Sequence, residues 1–483
     1  MLVEIINRVR TFLCMDDEEE EAQHALADEI LRDYDIRGIF GENLFADCAY
    51  DIGKAFGTIL SRQNLRTTCV GRDCRNSSNV LYQNLIKGLT NTGAEVVSLG
   101  LCHTPLMYYC VHRLNLDAGI MVTGSHNPPQ YNGFKFTLGE DPFCGNSIKN
   151  LGEMIKNKDF VEKNGREVVL NSVFSSYVSD ILDGFHFTDD VKVAWDIGNG
   201  ATSNAIKAIT KLIPGKHHLL FEEINGDFPN RLPDPTIAEN IEYLSKFVFY
   251  NGFDIGFGFD SDGDRLAAVD SNGRMLFSDQ ILEILAMDFL RKNPGAQVIA
   301  DVKSCNRLFD SIKKSGGIGI MERSGHSFIK IRMKSSRALL AGEMSGHFFF
   351  KDRWFGFDDG VYAALRCLEI ISRDKNTFNN LERGCVTPEI RIICDESRKF
   401  NIINSVRHRL EHENVDLVKI DGVRVTSSQG WWLLRASNTQ NALSLRIEAS
   451  SPEDMLALKE KIRHYLVEDI GNIDEILKLK AHE

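Results

Sequence analysis

AGIMVTGSHNPPQYNGFK, residues 118–135, joins a short apolar run to a loop rich in turn residues. Asn-Pro, Pro-Pro and Asn-Gly pairs punctuate the loop, so the pattern predicts a buried strand that delivers a loop. Ser125 stands in this loop between Gly124 and His126, where the backbone is open to approach. Two interpretations remain open at this point: Ser125 caps a turn, or its hydroxyl is a nucleophile.

The same pattern recurs along the chain, in TTCVGRD, AEVVSLG, VKVAWDIG, FDIGFGFD and AQVIADV. Amphipathic helical patterns separate these runs, which predicts layered α/β structure with sites at the carboxyl ends of the strands. The C-terminal part differs, because VRVTSS, GWWLLRASNT and LSLRIEAS indicate alternating strands before the helical pattern PEDMLALKEKIRHYL. We therefore expect a separate α+β unit at the C-terminus.

Composition limits the classes of partner. The 483-residue chain is long enough for several domains. Its 56 basic and 68 acidic residues give a net charge of -12, which disfavours general affinity for nucleic acid or an anionic membrane. An anionic substrate would need a local basic pocket. The 11 cysteines include no CxxC pair and no zinc-like cluster, so reduced thiols in a cytoplasmic protein are expected.

The N-terminal stretch MLVEIINRVRTFL has apolar positions 2, 5, 6, 9, 12 and 13 that fit one helical face. Charged residues interrupt it, so it lacks the apolar core of a signal peptide. An acidic block follows at residues 16–21. We expect residues 1–29 to be an appendage, either a helix that seeks a partner surface or a frayed end.

The stretch GFGFDSDGDRLAAVD places Asp260, Asp262 and Asp264 at alternate positions directly after an apolar run. Alternate residues of an extended segment face one side, so the three carboxylates should converge. Their repulsion favours a bound cation, and all-oxygen ligation suits Mg²⁺. An EF-hand is excluded, because Arg265 and Ser271 stand where it requires glycine and glutamate. A solvated acidic turn is the alternative.

Two further stretches offer polar side chains that suit a sugar phosphate. GEMSGH presents donors and acceptors for sugar hydroxyls at alternate positions. RASNT follows an apolar run and offers a guanidinium, hydroxyls and an amide, which suit a phosphate dianion. The residues concerned are Glu343, Ser345, His347, Arg435, Ser437, Asn438 and Thr439. Either stretch alone is also compatible with a polar turn.

Together and in this order, TGSHNP, DSDGDR, GEMSGH and RASNT resemble the signature loops of the α-D-phosphohexomutases, most closely the bacterial phosphomannomutase/phosphoglucomutase branch. YDIRG, VGRDCRNSS, DVKS and SGHSFIK extend the resemblance, which covers the chain from about Tyr34 to its end. It implies three related α/β domains plus a C-terminal α+β domain around a central cleft, although no internal repeat is visible in the sequence. The domains we expect after the appendage are residues 30–172, 173–274, 275–389 and 390–483.

The resemblance also implies residue roles. Ser125 would carry a phosphoryl group and, with Asp260, Asp262 and Asp264, hold Mg²⁺. Residues implied in catalysis besides Ser125 are His126, Lys135, Arg37, Arg265 and His326. Residues implied in substrate binding are Tyr34, Lys303, Glu343, Ser345, His347, Arg435, Ser437, Asn438 and Thr439.

The expected activity is interconversion of hexose 1-phosphate and hexose 6-phosphate, of mannose, glucose or both, through phosphoserine and a hexose 1,6-bisphosphate. Arg37 and Lys135 would stabilise transition-state charge. His126, Lys135 and His326 are candidates for the general base, and each could instead only bind phosphate. The partners we expect are small sugar phosphates.

Three alternatives remain at this stage: a phosphoglucosamine mutase, a metal-dependent serine phosphatase-like hydrolase and a non-catalytic sugar-phosphate-binding protein. Met344 resembles the glucose and mannose enzymes, because a glutamine there marks the glucosamine branch. The GEMSGH and RASNT loops argue against hydrolysis, and intact Ser125 and aspartates argue against loss of catalysis. Gln440 and Asn441 depart from the family pattern, which usually has an acidic or small residue and then proline, and this implies a less rigid phosphate loop.

Overall fold

The computed structural model of the protein describes residues 26–170, 172–187, 190–381, 384–437 and 441–478. The predicted helical face at positions 2–13 and the acidic block at residues 16–21 lie outside these ranges. Leu26 and Ile30 are buried in the core of the first sheet, so the chain joins that core within the predicted appendage. None of the helices in the described ranges combines the length and the apolar character that a membrane crossing needs.

Four sheets follow one another along the chain, and we call the parts that carry them units I to IV. Unit I contains β1–β7, unit II β8–β12, unit III β13–β16 and unit IV β17–β22. The strands are β1 Ile36–Ile39, β2 Thr67–Arg72, β3 Glu95–Leu101, β4 Ala118–Val122, β5 Tyr131–Leu138, β6 Asp141–Pro142, β7 Arg166–Val169, β8 Lys192–Asp196, β9 Lys216–Leu220, β10 Ile255–Phe259, β11 Leu266–Asp270, β12 Met275–Leu276, β13 Gln297–Asp301, β14 Ile318–Glu322, β15 Leu340–Gly342, β16 Phe348–Phe350, β17 Cys385–Val386, β18 Ile390–Ile393, β19 Leu417–Val418, β20 Val423–Ser427, β21 Gly430–Ala436 and β22 Ala442–Ala449.

The first three sheets contain the same four-strand arrangement. In unit I the order β5-β4-β2-β3 is parallel except for β5, which pairs antiparallel with β4. The orders β11-β10-β8-β9 and β16-β15-β13-β14 repeat this arrangement with the same strand directions. The predicted fold class of three related α/β domains plus a C-terminal domain is thus confirmed, and the relation that the sequence did not show is visible in the topology.

The shared arrangement also repeats the position of one loop. The connection from the third to the fourth strand carries Ser125 in unit I, the three aspartates in unit II, and Glu343 and Ser345 in unit III. Each loop therefore lies at the carboxyl end of a parallel strand, where sites in such sheets are expected. In unit IV Ser437 directly follows β21, which pairs antiparallel with both of its neighbours.

Helices cover the sheets. Their bounds are Ala46–Arg62, Ser78–Thr90, Thr104–Leu114, Asn146–Lys156, Ser172–Leu182, Ser203–Ile209, Glu242–Asn251, Ser278–Lys292, Asn306–Lys314, His326–Ser336, Gly360–Ile371, Glu396–His412, Pro452–Leu466 and Ile473–Ile476, with short 3₁₀ helices at Asp28–Ile30 and Ala238–Ile241. β4 and β10 are buried along their whole length, which is why they read as uninterrupted apolar runs.

The cores join the units unequally. One large apolar core runs from the helix Thr104–Leu114 of unit I through units II and III. Unit IV has its own core and meets unit III through a smaller apolar cluster of Val302, Trp431 and Leu433. Units I to III therefore form one continuous block, to which unit IV is docked.

Candidate active site

Ser125 has a backbone conformation that is uncommon for serine, with φ of 47°. Its side chain is buried, and its hydroxyl donates to Asp260 Oδ2 at 3.0 Å. Its backbone N–H donates to Thr123 Oγ1 at 2.8 Å. The loop of unit I thus presents the serine oxygen to a carboxylate of unit II.

Arg75, which the sequence analysis did not assign, holds this loop in place. Its buried guanidinium donates to the carbonyl oxygens of Ser125, Asn127 and Pro128, each at 2.6 Å. Asp73 accepts from Arg75 Nε at 3.1 Å and fixes the arginine in turn. These bonds stabilise the unusual serine conformation. The only signal for Arg75 in the sequence is its position within VGRDCRNSS.

The three aspartates converge, but through a turn and not through the extended segment that their alternation predicts, because Gly263 has a φ of 74° and its N–H donates to Asp260 Oδ1 at 3.0 Å. One oxygen from each of Asp260, Asp262 and Asp264 lies within 4.8 Å of the others, and all three side chains are buried. Lys135 Nζ donates to Asp262 Oδ2 at 2.8 Å and to Asp264 Oδ2. The Oδ1 atoms of Asp262 and Asp264 are buried and find no hydrogen-bond partner among the described residues. Unpartnered, buried carboxylate oxygens fit a divalent cation.

Charge within this cluster is distributed unevenly. Burial raises the pKa of Asp260 well above its usual value, and the carboxylates of Asp262 and Asp264 raise it further. Burial also acts to raise the pKa of Asp262, but the Lys135 ammonium beside it holds that pKa below its usual range. Burial acts to lower the pKa of Lys135, yet the aspartates raise it overall. Lys135 therefore places a positive charge between the carboxylates of Asp262 and Asp264.

One cleft collects side chains from all four units. The predicted residues that line it are Tyr34, His126, Arg265, Lys303, His326, Glu343, Ser345, His347, Arg435 and Ser437. Ser125 adjoins the cleft through His126, whose Nδ1 lies 3.5 Å from Ser125 Oγ. Asp260 adjoins it through Arg265, with 3.6 Å between Arg265 Nε and Asp260 Oδ2. Asn438 and Thr439, also predicted here, lie outside the described residues.

The loop after β15 offers an acceptor to a ligand. Glu343 Oε1 accepts from Gly325 N at 2.5 Å, whereas Oε2 is buried and has no hydrogen-bond partner in the described ranges. Burial raises the pKa of Glu343. Next to it, Met344 is fixed by its backbone, which donates to Asp301 Oδ1 at 3.2 Å and accepts from Ser278 Oγ at 3.1 Å.

Asp358, which the sequence analysis did not single out, contacts two histidines of the cleft. Its Oδ2 lies 3.0 Å from His347 Nδ1 and 3.7 Å from His326 Nδ1, and its Oδ1 accepts from Lys330 Nζ at 2.8 Å. Burial lowers the pKa of His326 well below its usual value, and the Lys330 cation lowers it further. Burial, followed by nearby arginine charge, likewise lowers the pKa of His126. His126 and His326 are therefore neutral at physiological pH.

Unit IV contributes the basic end of the cleft. Arg435 Nε donates to Asp421 Oδ2 at 2.8 Å, and Ser324 N of unit III donates to the same oxygen at 3.1 Å. Lys303 Nζ donates to Glu389 Oε2 at 3.2 Å and links units III and IV a second time. Polar contacts between units thus form part of the cleft wall.

Arg37 lies beside the serine loop and not among the residues that line the cleft. Its Nη1 donates to Asn127 Oδ1 at 2.6 Å, and Asp35 accepts from its Nη2. Further cleft residues that the sequence analysis did not single out are Asp234, Thr236, Ser324, Glu389 and Arg391. Asp234 of unit II faces Arg391 of unit IV, with 3.9 Å between Oδ2 and Nη2.

Comparison with known proteins covers nearly the whole described chain. Family models described as phosphoglucomutase/phosphomannomutase match as alpha/beta/alpha domain I at residues 28–162, domain II at 175–273 and domain III at 277–387, and as the C-terminal domain at 389–464. A phosphomannomutase/phosphoglucomutase of Pseudomonas putida is 41% identical over 447 residues, which is 92% of this chain and 96% of that protein.

Two further relatives agree with this result. A phosphoglucomutase of Neisseria gonorrhoeae is 40% identical over 88% of this chain and 93% of that protein. The crystal structure of a phosphoglucomutase/phosphomannomutase family protein from Burkholderia thailandensis superposes with a TM-score of 0.87 at 35% identity, covering 95% of this chain and 99% of that one.

Proposed function

Because the chain belongs to the phosphoglucomutase/phosphomannomutase family and is a phosphohexomutase, we propose that it transfers phosphoryl groups between O1 and O6 of mannose and glucose phosphates by way of Ser125. The observation that carries the proposal is the meeting of loops from four units at one cleft. Ser125 adjoins one end of the cleft, and Arg435 and Ser437 lie in unit IV, where they would hold the phosphate that does not react.

The reaction starts from Ser125 that already carries a phosphoryl group. A free hydroxyl of the bound hexose monophosphate attacks phosphorus, the bond from phosphorus to Ser125 Oγ breaks, the hydroxyl proton passes to a base, and the departing Ser125 Oγ takes up a proton. The product is a hexose 1,6-bisphosphate. It turns over in the cleft and returns its other phosphoryl group to Ser125 by the reverse steps. Positioning and charge stabilisation supply most of the catalysis in such transfers.

Asp260, Asp262 and Asp264, together with a phosphate oxygen on Ser125, would hold the metal ion, which we propose is Mg²⁺. When bound, the ion supplies charge neutralisation at the transferred phosphoryl group. Lys135, held between two of these carboxylates, and Arg37, held beside Asn127, add fixed positive charge next to the metal loop and the serine loop.

We infer that the proton goes to a cleft histidine or to Lys135. The aspartate carboxylates raise the pKa of Lys135, but they are the groups that would bind the cation, so this rise does not exclude Lys135 as the base. His126 and His326 remain candidates from the sequence, and the geometry adds His347, whose Nδ1 is 3.0 Å from Asp358 Oδ2. Asp358 lies within ion-pair distance of that nitrogen, so its negative charge would stabilise the imidazolium that forms.

Met344 supports the choice of substrate. It lines the cleft beside Glu343, and its thioether gives no strong hydrogen bond to a 2-amino group. We propose that mannose 1-phosphate and glucose 1-phosphate are both converted, with glucosamine phosphate much poorer. Coupled assays on the three sugars at equal concentration check this, and a kcat/KM highest for glucosamine phosphate would overturn it.

Intact-mass measurement tests the central proposal. The purified protein should carry one covalent phosphate, which is absent in Ser125→Ala, and turnover of that variant should fall by about 10³-fold or more. Ser335→Ala is the matched control, because Ser335 is exposed and its hydroxyl, among the residues that the structure describes, bonds only Arg332 O of its own helix, at 3.1 Å. A Ser125→Ala protein with the wild-type mutase rate would refute the phosphoserine mechanism.

A cytoplasmic location is part of the proposal. Every cysteine in the part of the chain that the structure describes is a free thiol, which supports a reducing compartment. Hexose 1,6-bisphosphate is expected to act as the activator that first phosphorylates Ser125.

A further inference from the structure

Thr104 connects unit I to the metal loop of unit II. It is the first residue of the helix Thr104–Leu114 and is fully buried. Its hydroxyl donates to Asp262 Oδ2 at 2.5 Å, and its backbone N–H donates to Asp262 O at 2.7 Å. Two bonds from one residue therefore fix both the side chain and the backbone of Asp262.

These bonds determine which carboxylate oxygen of Asp262 is free. Oδ2 accepts from Thr104 Oγ1 and from Lys135 Nζ, while Oδ1 is buried and unpartnered within the described part of the chain. A carboxylate is planar, so fixing Oδ2 and the backbone also fixes the direction of Oδ1. Residues that orient metal ligands in this way commonly change metal affinity when they are altered.

The backbone bond has its own cause. The first N–H groups of a helix have no partner within the helix. Here the carbonyl of Asp262 satisfies one of them, so the start of a unit I helix and the metal loop of unit II complete each other. Metal affinity should therefore depend on a residue that is 158 positions away in the sequence and itself is no ligand.

We propose that Thr104 is a positioning residue for the divalent metal ion, holding Asp262 so that Oδ1 faces the ion. The proposal rests on the proposed role of Asp262 as a metal ligand. A purely structural role is the competing explanation, since loss of the hydroxyl could simply weaken the contact between units I and II.

Thr202 provides a matched control for that explanation. It is also fully buried, and its methyl group packs on Gly263 of the same metal loop. Its hydroxyl, unlike that of Thr104, has no hydrogen-bond partner among the described residues. Thr202→Val therefore makes the same chemical change against the same loop without removing a bond to a carboxylate.

Direct titration with Mn²⁺ measures the affinity of the protein for the metal without turnover. The electron paramagnetic resonance signal of free Mn²⁺ reports how much of the ion is bound. We expect Thr104→Val to weaken Mn²⁺ binding by about 10–100-fold. Thr104→Ser, which keeps the donor, should bind close to wild type, and Thr202→Val should be unchanged. In assays, excess Mg²⁺ should restore most of the kcat of Thr104→Val, because the ligands themselves are intact.

Near-ultraviolet circular dichroism checks that each variant is folded. If Thr104→Val does not fold, Thr104→Ala takes its place. Wild-type Mn²⁺ affinity in the variant that lacks the hydroxyl, or an equal loss in Thr202→Val, would overturn the positioning role. Failure of the metal assignment is seen separately, because Asp262→Asn would then bind Mn²⁺ as tightly as wild type.

Discussion

At the scale of single residues, Asp262 gives a sharp test of the metal's role in the reaction. Asp262→Asn keeps the shape and removes one charge next to the transferred phosphoryl group. We expect kcat to fall by about 10²–10³-fold with little change in KM for the sugar phosphate, because the ion acts on transition-state charge. Steady-state kinetics at saturating Mg²⁺ measure this, with the exposed Asp227→Asn as control. Chelation should abolish wild-type activity and Mg²⁺ should restore it; full activity in excess chelator contradicts the assignment.

The raised pKa of Asp359 predicts that the stability of the protein depends on pH. It caps the helix Gly360–Ile371 by accepting from Tyr362 N at 2.9 Å, and Tyr177 OH donates to it at 3.0 Å. Burial raises its pKa from 3.8 to about 7, so the folded protein holds a proton that the unfolded chain has already released. The stability that this proton contributes is fully present below the pKa of Asp359 in the unfolded chain. It is lost as pH rises to the pKa of Asp359 in the folded protein, at about 1.4 kcal/mol per pH unit.

Asp359→Asn keeps an acceptor for Tyr362 N and cannot ionise. We expect the variant to lose this slope, so that its stability relative to wild type rises between about pH 5 and about pH 7. Urea unfolding midpoints at the two pH values measure the change. Equal differences between variant and wild type at both values would show that Asp359 does not titrate in this range.

Some residues of the site can be predicted from the sequence and others cannot. Ser125 and the aspartates stand out because the chemistry and the loop are local to each stretch. Arg75, Thr104 and Asp358 do not, because each acts on atoms that lie outside its own short stretch of sequence. No periodicity or turn pattern encodes such pairs, so only the folded structure brings them together.

At the scale of elements, β20 anchors unit IV. Arg424 on this strand is buried and stacks on Trp431 at 3.7 Å. Its guanidinium donates to the carbonyls of Val302 and Ser304 and, at 2.6 Å, to Asn306 Oδ1 in unit III. The strand therefore joins two sheets through one side chain that satisfies two buried carbonyl oxygens and one part-buried amide oxygen.

Arg424→Ala should lower the free energy of unfolding by about 3 kcal/mol or more, since each acceptor left unpaired costs about 1–3 kcal/mol. Arg391→Ala is the comparison, because Arg391 is exposed and its ion pair with Asp234 is long, with 3.9 Å between Nη2 and Oδ2. We expect this variant to lose no more than about 1 kcal/mol of unfolding free energy. Urea unfolding together with limited proteolysis near residue 390 measures both, and equal effects would contradict an anchor at β20.

Sequence patterns predicted individual strands and helices more directly than any other feature of the structure. The apolar runs predicted as strands are β2, β3, β4, β8, β10 and β13, and the C-terminal strands and the helix Pro452–Leu466 follow as well. Burial on both faces gives such strands continuous apolar runs, which is a local signal. The order of strands within each sheet has no comparable signal, because many sequences satisfy the same burial pattern.

At the scale of the whole molecule, unit IV should move. It is fixed to unit III at β20, while its contact with unit II includes the long ion pair of Asp234 and Arg391. The bisphosphate must present both ends to Ser125, so the cleft has to open enough for rotation and then close. We expect saturating hexose 1,6-bisphosphate to change the small-angle scattering profile towards a more compact particle.

Arg435→Ala serves as the control for this motion. It weakens the proposed phosphate contact, so a higher bisphosphate concentration should be needed for the same change in scattering. A wild-type profile that stays the same at saturation would argue against a mobile unit IV.

The repeated position of the site loops has a consequence for protein synthesis. Unit I shares an apolar core with units II and III, so Ser125 lacks the aspartates until unit II has emerged, and the cleft lacks Arg435 until the last sheet has emerged. At about 5–20 residues per second, tens of seconds separate the first completed unit from the last. A nascent or truncated chain therefore carries Ser125 without the aspartates or the phosphate-binding end of the cleft, and phosphoryl transfer should begin only when translation is nearly finished.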